Sequence, residues 1–336
     1  MHLNGICGGI MVEVNMIQAI NMCLSQELER DKRVLIFGED VGKNGGVFRV
    51  TDGLQSHFGK ERVFDTPLAE SSIMGVAVGM AYAGLRPVPE IQFDGFTYLA
   101  YNQINAHAAR MRNRTRGRYR MPIVLRFPYG GGVRALELHA EPLEGMYANI
   151  PGLTIVIPSG PYEAKGLLAS SIECNDPVLF LEHKRLYRAF KEEVPEERYT
   201  VPLGRCRVAR RGSDVTIVTW GAMARVCEKA AEGLERESGT KCEIIDVRTI
   251  KPLDDETIVA SVRKTGRLVV VQEAMRSFSA ASEVCARVCE KAMFSLRAPI
   301  RRVAGYDVPV PLPKLEEHFI PDERSVMSAV ADVMRY

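Results

Sequence analysis

Glu70 is the ionisable residue whose surroundings in the sequence point most clearly to chemistry. It lies in DTPLAESSIMGVAVGMAYAG (65–84), and the residues that follow it are almost entirely small or apolar. Thr66 and Pro67 are favoured at a helix N-cap and at the first helical position, so we expect Glu70 in the first turn of a helix buried on all sides. A carboxyl at the start of a buried helix can exchange a proton with a bound base. The same residue also suits any helix start, where the helix dipole stabilises an acid.

The predicted helix after Glu70 is rich in glycine and carries no charged side chain. Gly75, Gly79 and Gly84 recur along it, and no charged residue follows until Arg86. Small side chains let another backbone approach closely, so a second subunit could cover this helix.

Three more side chains have types that suit a ligand site. EIQFDGF (90–96) ends a predicted strand and places Gln92 and Phe96 at its C-terminal edge, where ligands bind in open α/β sheets. Phe96 could stack on a planar ring, although an aromatic residue at a strand end can equally belong to the core. His139 follows the glycine run 130–132 and could act as a general acid or base, or be an ordinary surface histidine.

Several motifs of common enzyme and nucleotide-binding families are absent from the sequence. The sequence contains no G-x-x-x-x-G-K-[ST], H-E-x-x-H or G-x-S-x-G segment, and the glycines at 130–132 lack the spacing of a dinucleotide fingerprint. Residues 110–120, RMRNRTRGRYR, hold six arginines at every second position. Because basic and acidic side chains are nearly equal in number over the whole chain, we interpret the arginine-rich segment 110–120 as a subunit interface or a solvated loop rather than a nucleic-acid contact.

The elements that must position these residues alternate between strand and helix. Short, continuously apolar runs predict strands covered on both faces, at 34–40, 87–93, 121–127, 153–158 and 178–182, with helices at 14–30, 67–84, 98–113 and 161–174. A second series of strands and helices follows residue 206, and its last helix begins near Asp322. This pattern predicts an α/β protein with two doubly wound domains, 11–190 and 206–336, joined by a linker at 191–205.

Composition sets broad limits on the function. The chain has 336 residues, and 44 basic against 42 acidic side chains give a formal net charge of +2, so no global field draws it to nucleic acid or to a membrane. Eight dispersed cysteines form no zinc-binding spacing and suit a reducing compartment. With neither an apolar span nor a targeting pattern, we expect a cytoplasmic protein in which residues 1–10 are an extension.

A set of motifs taken in order resembles one family. They are GEDVGKNGGVFRVTDGL (38–54), VFDTPLAES (63–71), GLRPVPEIQF (84–93), GGGVRALELHAE (130–141), PGLTIVIPSGPYEAKGLL (151–168), DPVLFLEHKRLYR (176–188), IIDVRTIKPLD (244–254) and KTGRLVVVQEA (264–274). Together they closely resemble the β subunit of the thiamine-diphosphate-dependent 2-oxo acid dehydrogenase first component, as in the pyruvate and branched-chain enzymes. The match runs from about Glu13 to the C-terminus.

The resemblance implies an N-terminal pyrimidine-binding thiamine-diphosphate fold and a C-terminal transketolase-C-like domain. It implies a heterotetramer of two α and two β chains that acts on a small 2-oxo acid and acylates the lipoyl group of an acyltransferase core. In this family the α chain holds the diphosphate and Mg²⁺ with a segment that starts Gly-Asp-Gly. The nearest strings here, FDGF (93–96) and TDGL (51–54), lack the first glycine. We therefore expect thiamine diphosphate to be shared with an α subunit that holds the Mg²⁺.

The family's functional residues carry over position by position. Glu70 matches the glutamate that hydrogen-bonds the aminopyrimidine ring nitrogen, and Leu68, Gln92 and Phe96 match positions around the same ring. His139 matches the histidine assigned to reductive acylation. The family often reads His-Ser-Gln-Ser at that histidine, whereas HAEP occupies 139–142 here, so the serine hydroxyls are missing.

A potassium ion is a further implication of the resemblance. Some members hold a structural K⁺ through carbonyl groups near positions matching Ile123, Ser171 and Cys174 and through the side chain matching Asp176. Here ECNDP stands in place of the usual Asp-Asn-Asn-Pro.

Three alternatives stay open at this stage. Acetoin dehydrogenase is a near relative with the same chemistry. A non-catalytic assembly subunit would use the small-residue helix and the arginine run only for interfaces. A single-chain transketolase-like enzyme would bind thiamine diphosphate without a partner.

Overall fold

The computed structural model describes residues 9–336, so most of the expected extension at 1–10 lies outside the described residues. The strands are β1 (Met11–Val14), β2 (Val34–Gly38), β3 (Val63–Asp65), β4 (Arg86–Glu90), β5 (Val124–Tyr129), β6 (Thr154–Val156), β7 (Val178–His183), β8 (Glu192–Pro195), β9 (Arg207–Arg210), β10 (Val215–Thr219), β11 (Cys242–Asp246), β12 (Thr249–Lys251), β13 (Leu268–Met275) and β14 (Arg301–Gly305). The helices are α1 (Met16–Arg30), α2 (Leu54–Phe58), α3 (Glu70–Tyr82), α4 (Met111–Arg114), α5 (Glu144–Ala148), α6 (Pro161–Glu173), α7 (Met223–Ser238), α8 (Asp255–Thr265), α9 (Ala280–Ala292), α10 (Glu316–Phe319) and α11 (Glu323–Met334).

Two mainly parallel sheets organise the chain. The first has the order β12-β6-β7-β5-β4-β2-β3, and only β12 runs antiparallel to its neighbour. The second has the order β14-β13-β10-β11-β9, with β9 as the antiparallel edge. Strand interiors are buried on both faces, as continuous apolar runs require. The predicted α/β class with two doubly wound units is confirmed.

Some elements differ from their predicted form. Residues 191–205, expected to be a linker, include β8, which pairs with β1, and buried Lys165 donates from Nζ to the carbonyl oxygens of residues 195–197. The helix expected at 98–113 is instead a 3₁₀ segment, Asp94–Ala100, a π-helical segment, Gln103–Ala109, and the short α4. Strand β12 comes from the second half of the chain but extends the first sheet, so the two halves share a sheet edge.

The two halves also share a core. Trp220 follows β10 and is buried, and its indole Nε1 donates to the Glu144 carboxyl of the first half over 3.1 Å. Burying an aromatic side chain of this kind stabilises a fold by about 1.5–3 kcal/mol. Among residues 9–336, no helix is both long and apolar enough to cross a bilayer.

A buried ionic cluster ties together the strands that lead to the candidate site. Arg126 on β5 donates from Nε to Glu182 on β7 over 2.7 Å and from Nη1 to Glu90 on β4 over 2.8 Å. The Tyr187 hydroxyl donates to the other Glu182 oxygen over 2.8 Å. Removing one partner of such a cluster costs about 3–5 kcal/mol, because charge is then left buried and unpaired. The cluster therefore fixes the relative positions of three adjacent strand ends.

Candidate active site

The first sheet has a topological switch point between its adjacent strands β2 and β4. The chain leaves β2 toward β3 on one side of the sheet and leaves β4 toward β5 on the other. In open α/β sheets the helices diverge at such a point, and ligands usually bind in the crevice beyond the carboxyl ends of the two strands. Glu39 and Asp40 follow β2 directly, and Gln92 lies two residues after β4.

Glu70 opens α3 beside this crevice, and its side chain is only 4% exposed. The predicted capping by Thr66 and Pro67 is wrong, because the N-cap is Ala69 and it makes no side-chain capping bond. The cause is tertiary, since the Thr66 N–H donates to the Gly38 carbonyl over 3.0 Å and holds Thr66 against the end of β2. Glu70 still occupies the first turn, where the helix dipole favours a carboxylate.

A second buried carboxyl, Glu39, lies near enough for the charge of Glu70 to affect it. Glu39 is 7% exposed, and burial, then the charges of Glu70 and Asp40, raises its pKa to about 7. Within residues 9–336, Oε1 of Glu39 and Oγ1 of Thr66 are buried without a hydrogen-bond partner. Buried polar atoms usually have a partner, so these two atoms mark a place where a polar ligand fits. Glu39 was not predicted from the sequence, although its position directly after a buried strand is a usable signal.

An aromatic cluster borders the same region. The ring centroids of Phe93 and Phe96 lie 4.3 and 5.0 Å from that of His139, and the two phenyl rings lie 5.7 Å apart. The structure therefore brings together two residues, Phe96 and His139, that are 43 positions apart in the sequence. Phe93 is the member that the sequence analysis did not single out.

The backbone around His139 fixes which ring nitrogen is free. Nδ1 of His139 lies 2.8 Å from the Glu137 carbonyl, which can only accept, so Nδ1 carries the proton and Nε2 is left as the acceptor in the neutral ring. The carbonyl of Leu138 contacts Gly95 so closely that a side chain at position 95 would collide with it. This packing keeps the His139 loop against Phe96.

The other two predicted ring contacts have different surroundings. Gln92 donates from Nε2 to the Asp40 carboxyl over 3.1 Å, which joins the ends of β4 and β2. Leu68 is 78% exposed and lies two residues before the buried Glu70. Leu68 therefore contributes an exposed apolar rim to the site.

The prediction that helix α3 is buried on all sides is wrong for this chain by itself. Ile73, Met74 and Ala77 face the core, but a stripe of small or apolar residues at helical spacing is exposed, namely Ser72, Val76, Gly79 and Ala83. An apolar surface patch of this kind is typical of an interaction site.

Two of the expected potassium ligands contact arginine side chains, and the K⁺ site stays a prediction. The Cys174 carbonyl accepts from the Arg86 guanidinium over 3.1 Å, and the Asp176 carboxyl is paired with Arg112. A second positive charge beside these guanidinium groups would be repelled. In the part of the chain that the structure describes, no cluster of three His, Cys, Asp or Glu side chains could hold a metal ion.

Comparison with known proteins decides the family. Residues 12–189 match the family "Transketolase, pyrimidine binding domain" and residues 204–326 match "Transketolase, C-terminal domain". Proteins from Staphylococcus epidermidis and Staphylococcus aureus named pyruvate dehydrogenase E1 component subunit beta are each 52% identical over 326 residues, 97% of this chain and 100% of theirs. The chain belongs to the β subunits of the 2-oxo acid dehydrogenase first component.

The E1 β-subunit family also accounts for the fold. A solved structure titled "Split gene transketolase, inactive beta4 tetramer" superposes with a TM-score of 0.77 and covers 98% of this chain and 99% of that one, at 22% identity. The predicted transketolase-like architecture is therefore confirmed. Dependence on thiamine diphosphate is a general property of this E1 family, and the buried pair Glu70 and Glu39 with its unpartnered oxygen suits a nitrogen-rich ring.

Proposed function

We propose that this chain supplies half of a thiamine-diphosphate site that decarboxylates pyruvate and passes the acyl group to a lipoyl arm. The observation that carries the proposal is the Glu70 carboxyl, buried at the start of α3 near a second buried carboxyl, Glu39, at the switch point. A dry carboxyl pair that can hold one proton is suited to exchange it with a ring nitrogen.

The residues of this chain would hold the aminopyrimidine end of the cofactor. Thiamine diphosphate, when bound, supplies the nucleophilic carbon that adds to the 2-oxo group. Glu70 would hydrogen-bond a ring nitrogen and move a proton there, while the raised pKa of Glu39 lets that second carboxyl stay protonated beside it. Phe96 would stack on the ring face, and Gln92 and Leu68 would border it.

The other half of the site would come from an α subunit. The proposal places the diphosphate and Mg²⁺ on that partner, because this sequence lacks a Gly-Asp-Gly segment. The exposed stripe on α3 and the exposed Leu99, at 63%, offer an apolar surface beside the site for the partner to cover. We propose a heterotetramer of two α and two β chains, with domain 11–190 completing the cofactor site and 206–336 pairing subunits.

His139 would serve the transfer to the lipoyl group of an acyltransferase core. Its Nε2 is free to exchange a proton, and its ring packs on Phe93 and Phe96 at the same side of the site. General acid–base groups of this kind contribute about 10²–10⁴-fold to a rate.

We predict that His139→Ala slows lipoyl acylation by about 100-fold and leaves decarboxylation, followed with an artificial electron acceptor, within about threefold. Both rates would be measured on the assembled α/β protein. The exposed His57 packs edge-on against Phe58 and lies beside Glu29 of α1, so His57→Ala serves as the control and should leave both rates unchanged. Equal losses in the two assays would show that His139 does not act specifically in transfer.

The related enzymes of this family differ in the substrate on which they act. The Staphylococcus relatives are named for pyruvate, which supports pyruvate over a branched-chain 2-oxo acid or acetoin. The test assembles the chain with its α partner and compares kcat/KM for pyruvate, 2-oxoisovalerate and acetoin. Pyruvate should be preferred by at least about tenfold, the usual discrimination for added methyl groups in a closed pocket. Preference for acetoin would identify an acetoin dehydrogenase, and no turnover of any substrate would favour a non-catalytic assembly subunit.

A further inference from the structure

The glycine run 130–132 links the second domain to the loop that carries His139. It directly follows β5, and the N–H groups of two of its glycines and of the nearby Arg134 donate to buried carboxyl groups. Gly130 N–H donates to Asp94 over 2.9 Å, and Gly131 N–H donates to Glu273 over 2.5 Å. A few residues later, Arg134 N–H donates to Glu316 over 2.8 Å. Glu273 and Glu316 belong to the second domain, whereas Asp94 belongs to the first.

Glu273 is held rigidly for this contact. Its second oxygen lies 2.7 Å from Nε2 of His183, the last residue of β7. Because the Arg185 N–H donates to Nδ1 of His183, the proton of the neutral ring is on Nε2 and points at Glu273. Burial alone would raise the pKa of Glu273, but His183 and the Gly131 N–H together lower it. Both oxygens of the Glu273 carboxyl therefore contact donors from the first domain.

The glycines are needed because these groups approach so closely. Gly130 has φ +75°, and a side chain there would lie 2.6 Å from Nε2 of His183. A side chain at Gly131 would lie 2.8 Å from Oε1 of Glu316. Only a glycine backbone lets the two carboxylates reach the loop, so the glycine run serves contact between the domains rather than nucleotide binding.

We propose that Glu273 and Glu316 form a latch by which the second domain positions the His139 loop for acyl transfer. The latch fixes the loop at its start, and the contact of Leu138 with Gly95 fixes its end. Between the Arg134 and Leu138 anchors, the Leu136 side chain is 69% exposed. Both glutamates are positioning residues, because they act on His139 through the backbone. This inference rests on the proposed role of His139.

Glu316 allows a test with matched variants. Among residues 9–336 its buried side chain accepts only from the loop backbone, so Glu316→Ala removes an anchor and Glu316→Gln keeps an amide oxygen that can accept the same bond. The adjacent Glu317 is 73% exposed and pairs with the guanidinium of the same Arg134, so Glu317→Ala is the control for a surface ion pair.

The primary measurement is hydrogen exchange of the segment 130–139 in the assembled α/β protein. We expect about tenfold faster exchange and about tenfold slower lipoyl acylation in Glu316→Ala, with acceptor-dependent decarboxylation within about twofold of the unsubstituted protein. Glu316→Gln should restore both, and Glu317→Ala should change neither.

Two results would overturn the latch. One is unchanged exchange of 130–139 in Glu316→Ala, and the other is an equal effect of Glu317→Ala. Because exchange is read without turnover, it tests the latch separately from the proposed function. If His139→Ala leaves acyl transfer intact, the role of His139 fails while faster exchange in Glu316→Ala still supports the latch.

Discussion

Glu70→Gln is expected to lower the decarboxylation rate of the assembled α/β protein by about 10³-fold or more while the assembly stays intact. Glutamine keeps the size of the side chain and a hydrogen-bonding oxygen, but it cannot give or take the proton that the ring nitrogen requires. The side chain is 4% exposed, so water cannot substitute for the lost carboxyl. Turnover would be followed with an artificial electron acceptor, and assembly by sedimentation.

The control for Glu70 is another glutamate at the first position of a helix. Glu323 opens α11 after the Asp322 N-cap, and its side chain is half-exposed and paired with Lys229. Glu323→Gln should leave turnover within about twofold of the unsubstituted protein, because removing an exposed ion pair costs no more than about 1 kcal/mol. Near-normal turnover in Glu70→Gln would mean that this acid merely suits a helix start and that the mechanism is wrong.

Much of the fold follows from local pattern. The buried strand β2 and the final helix with Asp322 at its N-cap appear where the sequence predicts them, because an apolar run and a capping residue act over a few neighbours. Thr66 fails as a cap because its N–H bonds to the end of a neighbouring strand. Strand β12 could not be predicted locally, since its partner β6 lies about ninety residues earlier in the chain.

The candidate site likewise combines features that the local sequence predicts with features that depend on distant contacts. The type and setting of Glu70 are visible in the sequence, but its neighbour Glu39 lies on another strand end, and only the parallel pairing of β2 with β3 brings the two elements together. The contacts of Cys174 and Asp176 could not be predicted for a related reason, because Arg86 and Arg112 reach them from distant parts of the chain. Contacts between side chains of distant helices and strands cannot be predicted from a short sequence motif.

The second large effect concerns binding of the cofactor by the chain alone. This chain offers a carboxyl pair and an aromatic face for one ring, yet its sequence lacks a Gly-Asp-Gly segment, and residues 9–336 contain no group of three or more acidic, histidine or cysteine side chains placed to hold a metal ion. A diphosphate carries most of the charge of the cofactor, and its affinity depends on a metal and backbone donors. We therefore expect the ring contacts alone to be too weak for stable binding.

Calorimetric titration with thiamine diphosphate and Mg²⁺ tests this shared-site account most directly. The isolated chain should show no saturable heat up to about 1 mM cofactor, corresponding to a binding free energy weaker than about −4 kcal/mol. The assembled α/β protein should bind at micromolar concentration, and Glu70→Gln in the assembly should weaken that binding. Saturable micromolar binding by the isolated chain would contradict the account and indicate a complete, single-chain transketolase-like site.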